Sequence, residues 1–138
     1  MITFLVGLKG SGKTKKLIDR VHNAVEASNG NVICIEKGDT LTYDVDHKAR
    51  LVNIEDYGIS GFDAFYGFVA GMCAGNYDIT DILVDSTLKI GGRDMEAFEK
   101  FIKRIDPLSK QMNISFTFSV SADESEIPAS LNEIVAKI

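Results

Sequence analysis

Eight consecutive residues, Gly7-Leu8-Lys9-Gly10-Ser11-Gly12-Lys13-Thr14, set glycines, a lysine and a hydroxyl in the order G-x-x-x-x-G-K-T. Glycine lets a backbone curl until successive N–H groups point at phosphate oxygens, a conformation that side chains obstruct. In such a loop Lys13 carries charge to the β and γ phosphates, and Thr14 can place its hydroxyl on Mg²⁺. The following helix presents its positive N-terminus to the same polyphosphate. In a shuffled chain of this composition the pattern arises with a chance of about 0.01, so composition alone explains it poorly. A second feature suits the same chemistry. Asp81-Ile82-Leu83-Val84-Asp85 is an apolar run that ends in an acid. Magnesium between phosphates is octahedral and keeps several waters, which one carboxylate at a strand end can hold. Asp85 fits that role, and Asp81 falls at the opposite end of the run.

These residues need elements to hold them. Near-continuous apolar runs at Ile2 to Val6, Val32 to Ile35 and Ile82 to Val84 predict strands covered on both faces. Ile114, Phe116, Phe118 and Val120 alternate with serines and a threonine, which predicts an edge or half-covered strand. A weaker strand is expected at Arg50 to Ile54. Four helices follow from apolar stripes of 3.6 period: Leu17 to Val25, Phe62 to Cys73, Met95 to Ile105, and a last one through Leu131, Ile134, Val135 and Ile138. Alternating strands and helices predict a three-layer α/β/α sandwich around a mostly parallel sheet of about five strands. Ligands of such sheets bind beyond the carboxyl ends of the strands, so the segments after Val6, Ile35 and Val84 should converge. Glu36 to Ala49 is polar and long for a loop without a functional reason.

With 138 residues, 45% of them apolar, the chain is large enough for one core and too small for two, so residues 1–138 are expected to form one domain. Fifteen Lys plus Arg against twenty Asp plus Glu leave a net charge of −5, which argues against broad capture of nucleic acid or an anionic membrane. Any polyanion must be held locally. No apolar run approaches the roughly 20 residues of a membrane span, and the first residues lack the basic leader of a signal peptide. Cys34 and Cys73 lie in apolar runs without CxxC spacing, which disfavours a metal or disulfide framework and suggests a cytoplasmic protein.

The glycine-lysine motif between an apolar strand and an amphipathic helix resembles the Walker A loop of the P-loop NTPase superfamily, and the element order resembles it over the whole chain. The resemblance implies a P-loop NTPase fold, with Gly7 through Thr14 binding ATP and Thr14 and Asp85 binding Mg²⁺. ParA-like and MinD-like relatives carry a further lysine where this chain has Leu8, so that subgroup is disfavoured. Two predicted strands separate the Walker A strand from the strand ending at Asp85, the Walker B position. By resemblance this suggests the RecA-like branch, with the Walker B strand beside the P-loop strand. Many members place a glutamate directly after the Walker B aspartate to activate water. Here Ser86 follows, which argues against fast hydrolysis. RecA-type members instead carry the base at the end of the strand after the P-loop helix, which implies Glu36, with Asp39 as the fallback.

Three functions are consistent with this pattern. In order, they are a slow ATPase or ATP-driven switch, a nucleotide-binding regulatory or assembly module without turnover, and a nucleoside kinase. Glu36-Lys37-Gly38-Asp39-Thr40 and His47 faintly resemble type II thymidine kinases, but the zinc cysteines and acidic Walker B neighbour of that family are missing. Arg93 after Gly91-Gly92 could touch phosphate, act on a neighbouring copy or cap a helix. A hydroxyl of Ser119 or Ser121 could sense the γ phosphate. Gly67, Gly71 and Gly75 permit close helix approach, either within the core or at a homo-oligomer face. Lys100, Lys103, Arg104 and Lys110 read as a solvated helix face.

Overall fold

A computed structural model describes all residues, Met1–Ile138. In chain order the elements are β1 (Ile2–Gly7), α1 (Lys13–Ala27), β2 (Asn31–Glu36), β3 (Arg50–Asn53), α2 (Phe62–Gly75), β4 (Ile79–Val84), α3 (Thr87–Gly91), α4 (Met95–Met112), β5 (Ser115–Ser121) and β6 (Val135–Lys137). The six strands form one sheet in the order β3-β2-β4-β5-β1-β6, and every neighbouring pair is parallel. This is an α/β fold with helices on both faces of the sheet.

Strand periodicity decides which residues meet which layer. In β2, Ile33 and Ile35 join the larger core with Phe62, Phe65, Phe98 and Phe101 from α2 and α4. Val32 and Cys34 turn the other way, onto Leu17 and Val21 of α1 and onto Leu41, Val45 and Ala49 of the long loop. Both faces are therefore buried, which is why the strands read as continuous apolar runs. α1 begins where Gly12 takes a left-handed conformation, and α4 is capped by Asp94, whose carboxylate accepts from the N–H groups of Glu96 at 3.0 Å and Ala97 at 3.2 Å. No helix is long and apolar enough to cross a membrane.

Three expectations change. The sheet has six strands rather than about five, because the predicted last helix does not form. Ala129–Leu131 is a single 3₁₀ turn and Val135–Lys137 pairs with β1. A helix of so few residues is marginal, whereas the open edge of β1 offers backbone partners, such as the Phe4 carbonyl that accepts from Ile138 N at 3.0 Å. Second, β5 is not an edge strand but lies between β4 and β1. Phe116, Phe118 and Val120 join the aromatic core, while Thr117 and Ser119 are buried on the side of α1. Third, β5 separates β4 from β1, so the strand that ends at Asp85 is not adjacent to the strand that feeds the glycine loop. The glycines at 67, 71 and 75 also differ from a packed stripe, since a Cβ added to any of them would meet nothing within 4 Å.

Candidate functional site

The glycine loop leaves β1 at the carboxyl edge of the sheet. Gly10 and Gly12 have φ of 87° and 85°, values that side-chain-bearing residues rarely adopt, and they turn the chain into α1. The Ser11 N–H donates to the Leu8 carbonyl at 3.1 Å, closing the turn. The first turn of α1 holds no acid to offset its positive end. Lys13 opens the helix and folds back over the loop, its Nζ donating to the Leu8 carbonyl at 2.9 Å and to Ser11 Oγ at 3.4 Å. Desolvation lowers the pKa of this ammonium, and the nearby negative charge of Asp85 opposes the shift. Gly7 sits beneath the loop, where an added Cβ would collide with Ser11 Oγ.

Asp85 follows β4 and is buried. Its Oδ1 accepts from Thr14 Oγ1 at 3.3 Å and from Ser119 Oγ at 2.9 Å, while Oδ2 accepts from Ser86 Oγ at 3.4 Å. Ser86 holds a left-handed φ of 54°, and its N–H donates to Ser119 Oγ at 2.7 Å. A side-chain-bearing residue there stores strain, and here the surrounding hydrogen bonds fix it. Ser119 thus receives one bond from Ser86 and gives one to Asp85. It is buried in β5, opposite Leu5 of β1.

These groups line one cavity of about 720 Å³. Leu8, Lys9, Gly10, Gly12, Lys13 and Thr14 contribute from the loop and α1, Asp85 and Ser86 from the end of β4, and Ser119 and Ser121 from β5. Lys89 and Arg93 also line it, with Arg93 Nη2 donating to the Ser121 carbonyl at 2.9 Å. The lining therefore holds four cations, Lys9, Lys13, Lys89 and Arg93, against the single carboxylate of Asp85. A chain of net charge −5 concentrates positive charge at this one place, which suits a polyanion.

Glu36 does not line this cavity. It is 2% exposed, and its carboxylate turns into its own loop. Oε1 accepts from Thr40 N at 3.1 Å and Thr40 Oγ1 at 3.0 Å, and Oε2 accepts from Leu41 N at 3.2 Å. The residue expected as the base therefore has its carboxylate engaged by three donors of its own loop, away from the cavity. Asp39 and His47 are exposed and also lie outside the lining. Cys34 is buried, and its thiol is pushed up to about 12, chiefly by desolvation and then by the negative charges of Asp85 and Glu36. It stays protonated at neutral pH.

Lys89 escaped the sequence reading. The signal lay in its spacing, four residues before Arg93 on the segment following Asp85. Thr14 and Asp85 together offer a hydroxyl and a carboxylate at one wall, the donor set with which a protein holds magnesium when phosphates supply further oxygens. The fold and cleft define an α/β protein with a cavity lined by cations at the carboxyl edge of a parallel sheet. No family model matches the chain, and no curated protein matches it in sequence.

Proposed function

We propose that this chain is a magnesium-dependent ATP-binding protein with a P-loop NTPase fold, working as a slow ATPase or ATP-driven switch. The observation that carries the reading is the meeting of Lys13, Thr14, Asp85 and Ser119 at one cavity, although they come from three separate segments. The backbone of the glycine loop and the end of α1 receive the phosphates, and Lys13 neutralises them. Thr14 and Asp85 would hold Mg²⁺, which bridges phosphate oxygens and offsets their charge when bound. Ser119 keeps Asp85 oriented. The one acid in the lining is already engaged, so no free carboxylate is in place to activate water, and slow turnover follows. That same observation favours a second reading, a binding module without turnover.

Calorimetry with and without magnesium tests the assignment. Magnesium should strengthen ATP binding to the parent, and Asp85→Asn should cut that enhancement by about tenfold or more, because an amide holds metal-bound water weakly. An identical magnesium response in both proteins would leave Asp85 as an ordinary strand-end acid. Turnover by the parent should fall well below a typical enzyme rate of about 10 per second. Complete absence of turnover would promote the binding module.

Glu36→Gln separates loop organiser from base. The amide keeps one acceptor but turns an NH₂ toward backbone donors, so urea denaturation should show a loss of about 1–3 kcal/mol. ATP affinity and residual turnover should persist. Loss of turnover with stability intact would return Glu36 to the role of base.

A further inference from the structure

The strongest feature outside the cavity is the free edge of β3. This strand has β2 as its sole neighbour, so its other side presents unpaired backbone groups. Exposed charges flank it with opposite signs: Lys48 and Arg50 at its start, Glu55 and Asp56 just beyond its end. None of the four forms an ion pair within the chain. The other edge of the sheet differs, since Lys137 of β6 is already paired with Glu124 at 3.8 Å.

Alongside β3 runs a groove of about 500 Å³ that reaches α2 and is lined in part by Val52, Tyr57, Phe68 and Met72. Tyr57 is 53% exposed and lies against Phe68 with ring centroids 5.5 Å apart. Beyond the groove, α2 carries one charged residue, Asp63, and its outward positions are alanines and glycines. The outward positions of α1 and α4 are charged, as at Lys15, Lys16, Lys100 and Lys103. Past Asp63 the outward face of α2 carries no charge for three turns, and a helix face of that kind is normally covered.

We propose that a second copy of this chain covers this face, pairing β3 against β3 antiparallel about a two-fold axis. The charge pattern selects both the occupant and its direction. Antiparallel self-pairing sets Lys48 and Arg50 of each copy near Glu55 and Asp56 of the other, whereas parallel pairing would set like charges together. A two-fold contact is also closed, so it consumes both free edges and stops at a dimer. A standard interface takes about 800 Å² from each partner, roughly a tenth of the 7382 Å² surface of this chain. Four residues of β3 are too few for that, which is why Tyr57 and the bare face of α2 belong to the contact.

Sedimentation equilibrium of the full chain across micromolar to sub-millimolar concentrations tests this. The mass should rise from 15.1 kDa toward twice that value. Reversing one end with Lys48→Glu and Arg50→Glu should weaken self-association by about tenfold or more, and adding Glu55→Lys and Asp56→Lys to the same chain should restore it. All four positions are exposed, and matched thermal melts verify that the variants fold. A parent that stays at 15.1 kDa overturns the proposal. So does self-association that ignores the first reversal, or a fully swapped chain that remains as weak as the half-swapped one.

Discussion

Lys13→Ala should lose at least an order of magnitude in ATP affinity by calorimetry while remaining folded. The ammonium is held over the glycine loop by the Leu8 carbonyl and Ser11 Oγ, so it is positioned before any phosphate arrives. Hydrogen bonds from a charged donor contribute about 1.5–3 kcal/mol each, and tenfold in affinity corresponds to about 1.4 kcal/mol. One lost contact therefore suffices for the predicted drop. Lys9, also in the lining but exposed in its loop, should cost much less when replaced, because solvent screens its charge. Stability should scarcely fall, since alanine removes an ammonium that burial already disfavours. The same burial sets a pH signature. The protonated form binds phosphate, and its pKa in the free protein is lowered from 10.5, so affinity should decline with rising pH before ordinary lysines titrate. Equal affinity in parent and variant would remove the phosphate-loop assignment.

The parts of this site that were readable in the sequence are those whose chemistry fixes residue type at fixed spacing. Gly10, Gly12 and Lys13 serve one local turn, and Asp85 directly follows one buried strand. Each therefore leaves its mark within a few consecutive residues. What could not be read depends on contacts across the chain. The alternation around Ser119 reads as the polar side of an edge strand, but β5 lies between β4 and β1, where that polar side meets α1 and Asp85. Glu36 was placed correctly at the end of β2, but the direction of its carboxylate is decided by Thr40 and Leu41, whose N–H groups need an acceptor. At the far end of the chain, apolar residues at 131, 134, 135 and 138 fit a helical stripe, and the competing pull came from the edge of β1, more than a hundred residues earlier. Local pattern and long-range pairing disagreed there, and pairing won.

Phe101→Ala should be the most damaging single change to stability. Seven phenylalanines build the aromatic core between the sheet and the α2–α4 layer, and Phe101 stands at its centre. Its ring lies 5.0 Å from Phe62, 5.3 Å from Phe65 in a stacked arrangement, and 5.9 Å from Phe118 edge-on, measured between centroids. It thereby ties α4 to α2 and to β5 at once. Truncating a buried phenylalanine costs about 3–5 kcal/mol from lost transfer energy and the cavity left behind. Three aromatic partners and 2% exposure put this site at the upper end. A domain of this size holds about 5–15 kcal/mol in total, so the urea midpoint should fall by roughly a third or more with an unchanged slope. Phe101→Leu refills much of the volume and should recover over half of the loss. The cationic cavity lies at the carboxyl edge, away from this cluster, and Phe101 is not among its lining residues. ATP affinity of the folded variant should therefore match the parent, so that stability and binding respond to different residues. A variant as stable as the parent would mean that α4 is held to the sheet by contacts other than this ring.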